Sequence, residues 1–184
     1  MANAVFYLIE PTSISYTGTS ATISANGSVS LNNASTIKLN GVFSADYDNY
    51  MIVISHDGSS GDDDGEGFCQ LMSGGTPASG SNYVWQYLQA NNTTVAGARS
   101  AATTSVRLFS YSDYQPSGTI IHVYGPYLTQ PTALRSVTCQ PRLAGLRIID
   151  YACTHNLSTS YDGFYLNPVA TGITGRVAVY GMRK

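Results

Sequence analysis

Apolar and polar residues alternate through most of this 184-residue chain, and no long stretch places apolar residues at the three-and-four spacing of an amphipathic helix. A period of two sends successive side chains to opposite faces of a strand. The pattern predicts strands over Val5–Glu10, Ser13–Tyr16, Ala21–Ser24, Ser28–Leu31 and Thr36–Phe43, with Asn26-Gly27 as a hairpin turn. Tyr50–His56 is nearly continuous in apolar residues, which predicts a central strand covered on both sides. Further strands are predicted at Phe68–Met72, Asn82–Ala90, Ser105–Tyr111, Thr119–Leu128, Ala133–Gln140 and Leu146–Thr154. Gly74–Ser81 and Asn91–Thr93 punctuate them as loops. A final pair, Phe164–Asn167 and Ile173–Tyr180, is joined by a Pro-Val-Ala-Thr-Gly turn, and Val177 and Val179 point away from Arg176, Ala178 and Tyr180. Many short strands without a crossover helix imply an all-β fold: an antiparallel β-sandwich of jelly-roll type. One domain over 1–184 is expected, with residues 1–35 as a candidate N-terminal docking segment.

Composition agrees with this picture. Charged residues make up 11% of the chain, and Ser, Thr, Asn and Gly supply the polarity instead, which suits strands and turns. A net charge of −2 offers no field for nucleic acid or an anionic membrane, so neither nucleic-acid binding nor membrane insertion is expected. The first residues carry no basic leader, and their apolar run is short for a signal peptide or membrane span, which points to a chain made in the cytosol. Cys69, Cys139 and Cys153 have neither an even count nor Cys-x-x-Cys spacing, so buried free thiols are expected. Asparagine sequons arise readily in so Asn- and Ser-rich a chain and carry little weight.

Candidate chemistry is sparse. Asp62-Asp63-Asp64-Gly65-Glu66 is the one dense charge cluster; its spacing does not match an EF-hand, and a solvated acidic loop is favoured over a calcium site. His56 beside Asp57 invites a hydrolytic triad, yet no Gly-x-Ser-x-Gly elbow accompanies it. His122 and His155 read as structural or surface residues. No phosphate-binding glycine motif occurs, and no basic neighbour activates a thiol. No catalytic residue, metal ligand or cofactor is therefore assigned, and a non-enzymatic role is expected. The aromatics are more suggestive. Tyr83, Trp85 and Tyr87 alternate on one face of a strand, and Phe109 and Tyr111 on another. Such faces either stack on sugar rings or pack in a core or subunit interface; packing is favoured.

Two stretches carry a resemblance. Leu39-Asn40-Gly41-Val42-Phe43 followed by Tyr47-Asp48-Asn49-Tyr50, and Tyr161-Asp162-Gly163-Phe164 with Ile173 to Gly181, resemble small tail-fibre or minor tail proteins of tailed bacteriophages, including cyanophages. The resemblance implies a β-sandwich on the virion exterior, assembled in the host cytoplasm, often as a homotrimer in contact with other tail or capsid proteins. It carries over no catalytic residue. Alternatives within that setting are a capsid decoration protein (cement or head fibre) and a receptor-recognition module for host surface glycans. A sandwich-borne polysaccharide hydrolase would need a carboxylate pair that the sequence does not reveal.

Overall fold

A computed structural model describes residues 6–57, 64–112, 114–143, 145–168 and 172–183. It is all-β and antiparallel, with no helix among the described residues. In chain order the strands are β1 (Phe6–Ile9), β2 (Ser13–Ile23), β3 (Val29–Asn40), β4 (Tyr47–His56), β5 (Asp64–Ser73), β6 (Thr76–Pro77) and β7 (Tyr83–Asn91). They continue as β8 (Thr94–Thr103), β9 (Val106–Ser112), β10 (Ser117–Tyr124), β11 (Thr132–Arg142), β12 (Gly145–His155), β13 (Gly163–Pro168) and β14 (Ile173–Arg183).

Hydrogen bonding links them in the order β6-β5-β13-β3-β14-β4-β10-β11-β12-β7-β8, with β2 on β3, β1 on β14 and β9 on β5. The sheet curls on itself: β9 is paired with β5 at one end, yet lies against β10, β11, β12 and β7 from the other half. The two halves therefore face each other as the layers of a sandwich. The corner lies in the β2–β3 hairpin. The first part of β3 pairs with β14 and its last part with β13, and the register of β2 against β3 shifts at Thr17/Gly18. Gly18 there has φ +102° and Asn33 opposite has φ +46°; a side chain at position 18 would press into the Asn33–Ser35 backbone. A bulge of this kind is how a long hairpin bends from one layer into another.

Between the layers, Tyr50, Ile52 and Ile54 of β4, Ile121 and Val123 of β10 and Ile149 and Tyr151 of β12 meet Ile37 and Leu39 of β3, Leu71 of β5 and Phe164 and Leu166 of β13, all buried. The seam beneath β9 is polar. Thr132, Ser136, Thr138 and Gln140 of β11 all point inward and are buried. Ser136 Oγ donates to the Leu108 carbonyl at 2.6 Å and Gln140 Nε2 to the Tyr111 carbonyl at 2.6 Å. Side chains of one layer thus satisfy the backbone of the strand laid across them, which removes the desolvation cost of burying that backbone.

Several strand and thiol expectations are corrected. β4 is central, but its faces differ: Tyr50, Ile52, Ile54 and His56 are buried, whereas Met51 and Val53 are half-buried and Ser55 is exposed. β13 and β14 are not partners; β13 lies between β3 and β5, and β14 between β3 and β4. Thr94–Thr103, assigned to no element from the sequence, is a ten-residue strand. Of the thiols, Cys69 and Cys153 are buried and Cys139 is exposed. Residues 62 and 63 of the acidic cluster lie outside the described residues, while Glu66 sits within β5. Residues 6–35 include β1, β2 and the first part of β3, of which β1 and β2 are mostly exposed.

Candidate binding surfaces

Of the five aromatic candidates, three are core. Tyr83 is fully buried and Phe109 and Tyr111 are about 1% exposed, so none of them can meet a glycan or a second subunit. Their packing follows from glycines on the neighbouring strand: Gly65 pairs with Tyr111 and Gly67 with Phe109, and each ring occupies the space where a glycine side chain would stand. Tyr83 links two layers. The Leu71 N–H donates to its hydroxyl at 2.9 Å, and its ring meets His155 edge-on at 4.4 Å.

Trp85 and Tyr87 also face inward but stay partly open, their rings parallel at 6.1 Å. Arg107 of β9 stands 5.6 Å from the ring centres of both Trp85 and Phe68 and forms a 2.6 Å ion pair with Glu66. Glu66 also lies 3.5 Å from Arg147, which donates to Gln89 and Gln140. This knot of Trp85, Arg107, Glu66, Arg147 and Gln89 ties β7, β9, β5 and β12 together, so packing between layers accounts for the aromatic face. Tyr151 beside it donates to or accepts from Ser110, and burial pushes its phenol up to about 12.

His155 and the two buried thiols are held in their neutral forms. The neutral form of His155 is favoured by burial, which lowers its pKa, and Nδ1 lies 3.0 Å from the Tyr161 hydroxyl. Burial also raises the Cys69 and Cys153 thiols, the direction opposite to nucleophilic activation. His56 packs on Tyr111, with ring centres 5.2 Å apart, and stands opposite Ser117 in the β4–β10 ladder. No cluster of three or more His, Cys, Asp or Glu side chains suited to a metal occurs among the described residues.

The outer face of the larger layer shows a surface that no sequence motif marked. Register places Ile120, Val137, Asp150 and Leu88 in one row across β10, β11, β12 and β7, with Gly118, Cys139, Ile148 and Ala90 in the next. Val53 of β4 extends the first row and Val95 of β8 the second. Ile120, Val137 and Ile148 are 45–49% exposed, and Leu88 and Val95 at least 60%. This apolar half spans six strands, about 24 Å at the usual strand spacing. On the other side of the Ile120 row come His122, Arg135, Ala152 and Gln86, and then Tyr124, Ala133, Thr154 and Val84. Here the surface is concave, with two adjoining hollows of about 730 and 630 Å³ that share Gln86, Arg99, Arg135 and Ala152.

No protein-family model matches the chain, and no curated protein matches it. Among solved structures it is similar to a protein of unknown function from Shewanella oneidensis MR-1, with 14% identity over 97% of this chain and 79% of that one and a TM-score of 0.37. It is also similar to the CBM2 module of the evolved Dit of Lactobacillus casei BL23 phage J-1, with 9% identity over 97% and 95% of the two chains and a TM-score of 0.34. A third is the laminarinase catalytic domain from Thermotoga maritima MSB8, with 9% identity over 90% and 82% and a TM-score of 0.29.

Proposed function

We propose that this chain is a non-enzymatic structural protein of a tailed-phage virion, a tail-fibre or tail-associated component on the particle exterior that assembles with copies of itself as a homotrimer. The observation that carries the self-assembly is the apolar half of the outer face. Val53, Ile120, Val137, Ile148, Leu88 and Val95 form adjacent rows on a sheet whose inner face already has its core. Contiguous exposed apolar surface on this scale supports a contact surface, and obligate interfaces are more apolar than the rest of a protein's exterior. The assignment to a phage particle rests on the resemblance in Leu39–Tyr50 and Tyr161–Gly181, and the trimer on the closed symmetry common to that family. The docking role expected of residues 1–35 then falls on β1 and on β2, which pairs only with β3 among the described residues. A capsid-decoration role uses the same surface on a different part of the particle.

The experiment is a reconstruction of the intact particle together with light scattering on Ile120→Asp. The reading expects copies that touch through the Ile120–Val137 rows, and a loss of self-association in the variant with its thermal midpoint preserved. Isolated copies, or copies that meet through another surface, would sink it.

A further inference from the structure

We propose that the concave half of the outer face is an oligosaccharide site that prefers a sugar bearing a carboxylate. This inference concerns a different ligand from the self-assembly reading and centres on the rows on the other side of the outer face, reaching Asp150 and Leu88 of the Ile120 row.

The trough has the size and shape for a chain-like ligand. Each hollow falls within the roughly 300–1,000 Å³ typical of small-molecule sites, and the two share Gln86, Arg99, Arg135 and Ala152 in their linings. Ala152 on β12 lines both hollows and stands between Arg135 and Gln86 in the ladder, so a larger side chain there would enter the space. Arg135 and Asp150 face each other on the rim in a two-pronged ion pair, Nε to Oδ1 at 3.1 Å and Nη2 to Oδ2 at 2.6 Å. That pair holds two planar polar groups in fixed orientation, and it leaves further guanidinium N–H donors and carboxylate lone pairs for ligand hydroxyls. Gln86 adds an amide with both donor and acceptor. At one end lies Tyr124, an aromatic 40% exposed, whose ring offers an apolar face for a pyranose.

Charge selects the ligand subclass. Arg99 of β8 lines both hollows and has no ion-pair partner among the described residues, whereas Arg135 is answered by Asp150. The trough therefore carries one uncompensated positive charge, placed to receive an anion. A sugar also fits better than an acidic peptide. An extended peptide binds most readily by adding a strand along a sheet edge, and of the strands lining the trough only β8 ends the sheet; β7, β10, β11 and β12 each have neighbours on both sides, so their backbone groups are already paired. A ligand lying across those four strands is held by side chains, and those present match hydroxyls and a carboxylate.

The test is calorimetric titration of the whole chain with trigalacturonate, which carries a carboxylate on every ring, and with neutral maltotriose. Trigalacturonate should bind the parent protein, and Ala152→Trp, which enters the space from an exposed strand position, should abolish binding while circular dichroism stays unchanged. Arg99→Ala should weaken trigalacturonate by about ten-fold, the scale of one charge-assisted contact, and should leave any maltotriose binding unaltered. Ile120→Asp should retain trigalacturonate binding even where it abolishes self-association, which separates failure of this proposal from failure of the assembly reading. Absence of trigalacturonate binding, binding that survives Ala152→Trp, or equal affinity for both sugars would overturn the proposal.

Discussion

Replacing Tyr83 by Phe tests whether the two layers are joined through one hydroxyl. Leu71 stands opposite Phe164 in the β5–β13 ladder, yet its carbonyl accepts from Ala78 and its N–H donates to the Tyr83 hydroxyl at 2.9 Å. Both groups thus point away from β13, into the gap between the end of β9 pairing at Cys69 and the start of β6 pairing at Met72. Tyr83 and Leu71 are fully buried, so water has no access to replace the lost acceptor. The substitution keeps the ring and its contact with His155, and leaves one buried N–H unpaired at a cost of about 1–3 kcal/mol. For a chain of this length that is a fall of roughly 2–12 °C in the thermal midpoint, read by calorimetry at pH 7. Tyr16→Phe, on an exposed ring, is the control and should change stability by less than about 0.5 kcal/mol. The same hydroxyl has an alkaline signature. Burial raises its pKa above the ordinary 10.0, so the stability it contributes is complete below pH 10 and is lost as pH rises through the folded value. Tyr83→Phe should therefore flatten the alkaline arm of the stability profile. A midpoint shift no larger than that of Tyr16→Phe would refute the bridging argument.

Gly67→Ala should destabilise by about 1–3 kcal/mol in denaturant unfolding, because the added carbon would enter the ring of Phe109, itself buried without room to move. His155, held neutral by burial, has a folded pKa below the ordinary 6.5; its share of stability is present above pH 6.5 and lost as pH falls through the folded value. Melting from pH 7.5 down to 5 should show that loss in the parent protein and less of it in His155→Gln. Cys139 should alkylate under native conditions and Cys69 and Cys153 only after denaturation, since burial both hides and protonates them; three adducts on the native protein would contradict the packing.

The alternation that predicted strands is a record of one buried face, and it works where a strand has one. β11 reads cleanly because Thr132, Leu134, Ser136, Thr138 and Gln140 are all buried while Ala133, Arg135, Val137 and Cys139 are exposed. It fails for β8, whose side chains are nearly all exposed and mostly small, so neither periodicity nor β-branching marks it. It split β2 in two at Gly18, where the bulge breaks the register of a single continuous strand. The pairing of distant strands lay beyond reach for another reason. Adjacency in sequence suggested that β13 and β14 form a hairpin, whereas β3 separates them by pairing with both. The aromatic alternation of Tyr83, Trp85 and Tyr87 was legible, but which face it served was not, because that depends on β9 being folded across it. The trough was invisible to motif reading, since its lining comes from β7, β8, β10, β11 and β12 and includes residues as plain as Ala152.

The division of the outer face is a property of the assembled sheet and not of any one strand. From the trough side to the apolar side, β11 runs Ala133, Arg135, Val137, Cys139 in chain order, while its antiparallel neighbour β12 must run backwards, Thr154, Ala152, Asp150, Ile148. β10 likewise runs backwards, Tyr124, His122, Ile120, Gly118, and β7 forwards, Val84, Gln86, Leu88, Ala90. Four strands of alternating direction therefore each place one large aliphatic residue, Val137, Ile148, Ile120 or Leu88, at one end, while Arg135, Gln86, His122 and Thr154 lie at the other together with Val84 and Tyr124. Folding alone requires only the inward set, so this order points to use of the exterior. The swap Arg135→Val with Val137→Arg isolates that use. Both positions are exposed, the inward residues are untouched, and the new arginine stands directly across from Asp150, so the pair can reform. Thermal stability should change by less than about 1 kcal/mol, within the usual range for surface positions away from special features. Self-association and trigalacturonate binding should both fall, the first because a charge enters the Ile120–Val137 row and the second because the trough loses a donor. A swap variant that folds, self-associates and binds as the parent does would show that the ordered rows have no role beyond the sheet itself.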